Sequence, residues 1–236
     1  MYTGINLKLP LFEIGLKGYL YGKEALELAK AADRISKKYR VSIIFTPQCV
    51  DIPRVVEATD NLYIFAQHMD SLEIGVGLGS VLPEALKAAG ATGTLLNHAE
   101  RRINLSEIHR TIKRADEVGL ATAVYADSYE EAAALANLNP NIIIAEPPEL
   151  IGTAKSVGKW QGEFISKTVT MIKKINSKII VLAGAGIRTA DDVREVIKLG
   201  ADATGSTSGI LKAKNPIEKM EEMIKALKEV WLETHS

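Results

Sequence analysis

Three side chains able to carry charge or move protons, Lys17, His98 and Glu146, stand where short apolar runs give way to polar sequence. A cation, an imidazole and a carboxylate would thereby be delivered to one rim by three different strands. Each also has an ordinary explanation. A lysine at a strand exit can be merely solvated, and a histidine there can be a structural hydrogen-bond partner. Glu146 precedes Pro147-Pro148 and can simply end a strand, because proline forces an extended exit. Their coincidence at one rim is what points to function. Two runs of small residues, Ala183-Gly-Ala-Gly-Ile187 and Gly205-Ser-Thr-Ser-Gly209, add a second chemistry. They supply Gly184, Gly186, Thr207 and Ser208. Small residues let backbone N–H groups approach an anion, and a helix beginning after the loop adds the positive end of its dipole. Ordinary turn glycine is the alternative. The run Gly75-Val-Gly-Leu-Gly79 neither follows a first strand nor carries the acidic partner that a dinucleotide-binding fingerprint requires.

The elements that must position these groups repeat along the chain. Eight apolar, β-rich runs occupy residues 11–17, 42–48, 62–68, 92–98, 121–127, 141–147, 178–185 and 201–208. Ser-Ile-Ile-Phe at 42–45 and Ile-Ile-Val-Leu at 179–182 offer apolar side chains to both faces, as buried parallel strands do. Between the runs lie helical spacings, clearest at Gly22 to Lys38, Leu105 to Val118, Ser128 to Leu138, Phe164 to Ile175, Ala190 to Leu199 and Pro216 to Leu232. Asp127-Ser128 and Thr189 suit helix N-caps, and Gly119 and Gly200 suit C-terminal positions. No linker or change of composition divides the chain, which predicts one domain over residues 1–236. Alternating strands and helices imply an α/β fold with a parallel sheet. Eight units closing on themselves give a (β/α)8 barrel, with an open doubly wound sheet as the competitor. In such a barrel, catalytic groups stand at the C-terminal ends of the strands, and phosphate sits between the loops after strands seven and eight.

Composition narrows the partners. Lys plus Arg and Asp plus Glu both number 29, so no overall positive field draws nucleic acid. No stretch reaches the roughly 20 apolar residues that span a bilayer, and the first ten residues do not read as a signal peptide. Cys49 is the single cysteine, which favours a reducing cytoplasm and reads as a small buried residue rather than a nucleophile. His68-Met-Asp70 lacks a third metal ligand at close spacing. The basic pairs Lys37-Lys38, Arg101-Arg102 and Lys173-Lys174 carry no interleaved aromatics and read as solvated or ion-paired.

With Asn97-His98-Ala-Glu100-Arg101-Arg102, Phe65-Ala-Gln67-His68, Ala145-Glu146-Pro-Pro-Glu149-Leu-Ile-Gly152-Thr153 and Ala183-Gly-Ala-Gly-Ile187, the sequence resembles the triosephosphate isomerase family, most closely its short archaeal form, from about residue 11 to 230. The resemblance implies an eight-stranded barrel, no cofactor and no metal, a homodimer or homotetramer, and interconversion of dihydroxyacetone phosphate with glyceraldehyde 3-phosphate. By the same resemblance Glu146 is the base, His98 the neutral electrophile, and Lys17 the positive charge beside phosphate and enediolate. Gly152 and Thr153 begin a lid, and Gly152, Gly184, Gly186, Thr207 and Ser208 hold the phosphate. Several positions depart from the family pattern. Gly15 stands where the family has asparagine, Leu78 where a threonine crosses to a neighbouring subunit, Ala99 for serine, Tyr125 for cysteine and Ala154 for glycine. The paired changes suggest drift: Gly15 would open volume near the reacting carbons, and Leu78 would make the opposite wall apolar. Two alternatives follow, an isomerase of a related sugar phosphate such as a tetrose phosphate, and a catalytically silent phosphosugar-binding barrel.

Overall fold

The computed structural model describes residues 1, 3–147 and 159–235. Eight parallel strands close into a barrel in sequence order. They are β1 (Leu11–Gly15), β2 (Ser42–Thr46), β3 (Leu62–Ala66), β4 (Gly93–Leu96), β5 (Ala121–Ala126), β6 (Ile142–Ala145), β7 (Ile180–Ala183) and β8 (Ala203–Gly205). Closure is made where β8 pairs with β1, with Leu11 level with Ala203 and Glu13 level with Gly205. The open doubly wound alternative is thereby excluded.

Each strand is followed by helix: α1 (Gly22–Tyr39), α2 (Ile52–Glu57), α3 (Pro83–Ala88), α4 (Leu105–Val118), α5 (Tyr129–Ala136), α6 (Lys159–Ile175), α7 (Ala190–Lys198), and after β8 both α8 (Ser208–Leu211) and α9 (Pro216–Thr234). Local chemistry sets their ends. Ser128 accepts from the Glu131 N–H at the start of α5, Asn104 from Glu107 at the start of α4, and Gly119 takes the left-handed conformation that closes α4. In α1, Ala25, Leu28, Ala29, Ala32 and Ile35 recur at helical spacing and bury one face.

Two apolar layers result. Phe12, Ile14, Ile43, Phe45 and Val124 point outward from the strands into the helices. Leu11, Ile44, Phe65, Leu95, Tyr125, Ile144 and Leu182 fill the lumen. Gly93 is needed there, since a Cβ on it would meet the Phe65 ring at 2.4 Å. The predicted strands ran one to three residues too far at their C-terminal ends. Those extra residues leave the ladder because they turn outward as the loops of the rim. The basic pairs are ion-paired in part: Lys38 to Glu221 at 2.6 Å, Lys173 to Asp202 at 2.7 Å and Arg102 to Asp127 at 3.1 Å.

Candidate active site

Lys17, His98 and Glu146 lie just beyond the ends of β1, β4 and β6. Two of these exits need an unusual backbone: Lys17 has φ 47° and Asn97, before the histidine, φ 62°. Left-handed geometry is costly for lysine and tolerated by asparagine, and neighbours hold both positions here. At Lys17 the carbonyl accepts from Gln48 Nε2 at 2.6 Å and from Gln67 Nε2 at 2.9 Å. Gln67 also donates to the Thr46 carbonyl at 3.1 Å, tying the exits of three strands together. Lys17 Nζ then reaches Glu100 Oε1 at 3.0 Å.

Asn97 fixes the histidine. Its buried amide donates to the Tyr125 carbonyl and to Glu131 Oε1, both at 3.1 Å, while its oxygen accepts from the Ile103 N–H at 3.2 Å. Arg102 closes onto Glu131, and the Tyr125 ring meets the His98 ring edge-on at 4.6 Å between centroids. His98 Nδ1 accepts from the Glu100 backbone N–H at 3.0 Å. A neutral imidazole bonded in that way carries its proton on Nε2. That Nε2 lies 3.2 Å from Glu146 Oε2, but the two atoms are not aligned for a hydrogen bond. Both are buried and, among the described residues, have no hydrogen-bond partner. Orphaned buried polar atoms are costly, so a facing pair of them marks a place where a polar molecule completes the bonding.

Beside the pair opens a cavity of about 250 Å³, lined in part by Lys17, Thr46, Gln67, His98, Tyr125 and Thr207. Arg101 also lines it, so this residue is not merely solvated as its basic doublet suggested. A larger groove of about 560 Å³ between Lys8, Arg40 and Tyr63 lies at the opposite end of the barrel, the face usually devoted to stability. His68 lines the site cavity and pairs with Asp70 at 3.0 Å. Among the described residues no group of three or more His, Cys, Asp or Glu could hold a metal ion. Cys49 is half-buried in a one-turn 3-10 helix at Cys49–Asp51, and desolvation pushes its thiol up from the usual range, away from the reactive thiolate.

Gly15 lines the cavity, but the volume its absent side chain frees is already taken. A Cβ there would lie 2.6 Å from Thr207 Oγ1 and 3.0 Å from Glu13 Oε1, so those two side chains occupy the volume that sequence reading assigned to substrate. Leu78 forms no wall of the cavity; it is fully exposed on the loop between β3 and α3. Glu13 was missed by sequence reasoning, although a lone acid within Leu-Phe-Glu-Ile-Gly was a visible signal. It retains only 7 % of its surface, and desolvation together with the charge of Glu146 pushes its carboxyl up to about 8, against the lowering pull of Lys17 and Thr46. The Tyr125 hydroxyl is likewise held well above its usual range by burial, with Glu13, Glu146 and Glu100 adding to the effect.

The loops after β7 and β8 are locked together. Ser206 Oγ donates to the Ile187 carbonyl at 2.7 Å, and a Cβ on Gly209 would lie 2.5 Å from Ser206 Oγ. Gly186 takes φ 75°, which suits glycine, and Thr207 faces the cavity with Ser208 next to it at the start of α8. The Gly184 N–H donates to the Ala145 carbonyl at 3.2 Å. What glycine provides at 184 is therefore room, since a Cβ would sit 3.2 Å from Glu146 Oε1. Gly152 and the expected lid lie outside the described residues.

A family model described as triosephosphate isomerase matches residues 14–227. The chain is 42% identical to the triosephosphate isomerase of Methanobacterium bryantii over 217 residues, which is 91% of this chain and 96% of that protein. It is 41% identical over 227 residues to that of Sulfurisphaera tokodaii, covering 95% and 98%. The enzyme of the same name from Sulfolobus acidocaldarius is 43% identical over 221 residues, covering 93% and 95%.

Proposed function

The chain belongs to the triosephosphate isomerase family, and from that premise we propose that it interconverts dihydroxyacetone phosphate and glyceraldehyde 3-phosphate. The observation that carries the mechanism is the facing, unpartnered pair of His98 Nε2 and Glu146 Oε2 beside a cavity containing Lys17. Glu146 takes a proton from the carbon next to the carbonyl, and the electron pair left behind moves onto the carbonyl oxygen as an enediolate. His98, donating from Nε2, stabilises that oxygen, and Lys17 adds positive charge. Return of the proton from Glu146 to the adjacent carbon, with exchange of the hydroxyl proton between the two oxygens, yields the isomer. No atom is gained or lost.

Gly186, Thr207 and Ser208 hold the phosphate in this reading, with Gly152 joining them from the segment after Glu146, whereas Gly184, whose N–H is taken by the Ala145 carbonyl, leaves room beside Glu146 instead of binding phosphate through its amide. The reading takes one barrel domain, a phosphosugar as the only small-molecule partner, no cofactor, and a homodimer or homotetramer. The lone cysteine favours the cytoplasm. Among the described residues no helix is long and apolar enough to cross a membrane. A tetrose phosphate remains a second substrate to be assayed, but the filled space at Gly15 removes the reason for preferring it.

Glu146→Gln tests the assignment in a coupled assay with glyceraldehyde 3-phosphate. We expect kcat to fall by about 10²–10⁴ while affinity for a phosphosugar analogue is retained, because a positioned base acts on the transition state. A loss of less than about tenfold rejects Glu146 as the base.

A further inference from the structure

Glu13 is an ionisable group that the acid/base pair leaves unexplained. Its side chain points into the lumen, on the same face of β1 as Leu11 and Gly15, in a strand that is otherwise apolar. Three neighbouring positions are shaped around it. Gly15 leaves room for Oε1, to which an added Cβ would come within 3.0 Å. At Gly205 a Cβ would lie 2.7 Å from the Glu13 carbonyl oxygen, 2.8 Å from Glu13 Cβ and 2.9 Å from Oε2, so glycine there admits both the backbone and the side chain of Glu13. Thr46 Oγ1 donates to Oε1 across a long 3.5 Å. One layer below, Leu11, Ala203 and Leu182 stand level and close the barrel. The carboxyl thus lies under Gly15, Thr46, Tyr125 and Thr207, all of which line the active-site cavity.

We propose that Glu13 is a further catalytic residue: an un-ionised carboxylic acid that donates a hydrogen bond, alongside His98, to an oxygen on one of the two reacting carbons. The proposal rests on the isomerase reading of the site. Its proton does not leave; the transferred proton travels by way of Glu146. A carboxyl held up to about 8 is mostly protonated at neutral pH, and in that form it is a donor rather than a second anion beside Glu146. A donor preorganised at a developing oxyanion lowers the barrier most where water is excluded. Ionisation reverses the effect, since the carboxylate can no longer donate and repels the enediolate.

The groups facing Glu13 are few and identifiable. Lys17 comes from the exit of its own strand and Glu146 from the exit of β6. Tyr125 comes from β5, where burial keeps it protonated throughout the range concerned. From β2 it meets Thr46, and from β8 Gly205, neither of which titrates.

The test is kcat and KM for glyceraldehyde 3-phosphate between about pH 6 and pH 9.5, for wild type, Glu13→Gln and Glu13→Leu, with circular dichroism melts to establish that each is folded. Wild-type kcat/KM should decline above about pH 8. Glu13→Gln, a neutral donor of the same shape, should keep kcat within about threefold at neutral pH and lose that alkaline decline. Glu13→Leu should lose about 10²–10³ in kcat with KM little changed, the effect of deleting one oxyanion donor. An active wild type with a flat profile overturns the proposal and leaves the isomerase reading standing. So does a decline that persists in Glu13→Gln, or a folded Glu13→Leu with more than a tenth of wild-type kcat. A wild type inactive on both triose phosphates overturns the isomerase reading, and this inference with it.

Discussion

His98 and Glu146 are held facing one another by bonds made elsewhere on each residue or its neighbours. Backbone donation to Nδ1 settles the imidazole tautomer, and the buried Asn97 amide settles where the ring sits. These residue types and their rim positions were legible in the sequence, because a strand exit can be read from where an apolar run ends. The occupant of the space at Gly15 was not. A missing side chain is visible in a sequence, but the groups that fill the gap come from two residues back on the same strand and from Thr207 across the barrel seam. Nor does the inward or outward direction of Glu13 follow from a strand that is buried on both faces, where alternation is lost. Its burial has a consequence for stability. The folded pKa lies above the ordinary value of 4.5, so the folded chain holds this proton more tightly than the unfolded chain does. The stabilisation is therefore fully present below about pH 4.5 and is lost as pH rises through about 8, at about 1.4 kcal/mol for each pH unit crossed between those two values. Glu13→Gln cannot ionise and should gain on wild type in melting temperature across that window, most clearly between about pH 5 and pH 8. A difference in melting temperature that stays constant with pH contradicts the burial argument.

At the scale of elements, the barrel works by ending its strands early and bending the chain into the rim. The sequence showed eight runs and their order, since polar and turn-forming residues interrupt them, with helix caps at Ser128 and Thr189 and the glycines Gly119 and Gly200 among the boundaries. It overestimated their length because Lys17, Asn97 and their neighbours are flanked by residues of strand-like composition, while their left-handed backbone depends on distant amides such as Gln48 and Gln67. The cap at Thr189 was legible and does more than start a helix. Thr189 Oγ1 accepts from the Asp192 N–H at 3.2 Å, and Asp192 Oδ2 accepts from the N–H groups of Thr189 at 2.8 Å and Arg188 at 3.0 Å. The reciprocal pair fixes the path of the chain between the glycine loop after β7 and α7. Thr189→Ala should cost about 1 kcal/mol of stability, seen as a midpoint shift of about 2–4 °C in thermal melts. If the loop is positioned by this cap, KM for the phosphosugar should rise as well. An unchanged KM with the expected loss of stability would confine the cap to folding.

For the molecule as a whole, the loop between β3 and α3 is the feature that one barrel leaves unfinished. Ile74, Val76 and Leu78 alternate along it and are 75 %, 96 % and 108 % exposed. They are interleaved with Gly75, Gly77 and Gly79, all at positive φ, a backbone that keeps the loop extended rather than helical. Its neck is pinned: the Val81 N–H donates to Asp70 Oδ2 at 2.7 Å, and the Asp70 N–H to the Val81 carbonyl at 3.0 Å. The three apolar side chains are thus held away from their own core. Burying each against another surface is worth about 1.5–3 kcal/mol, which makes a second copy of the chain the economical cover. Asp70 also contacts His68, a lining residue of the cavity, so the loop that would meet a neighbour shares its anchor with the site. We therefore expect multi-angle light scattering to give a dimer or tetramer at micromolar concentration. Leu78→Asp, which would bury a charge in that contact, should shift the population toward monomer. Because the neck touches His68, turnover per subunit should fall in step with dissociation as this variant is diluted. A wild type that runs as a monomer removes the oligomer, and a monomeric Leu78→Asp with unaltered turnover separates association from catalysis.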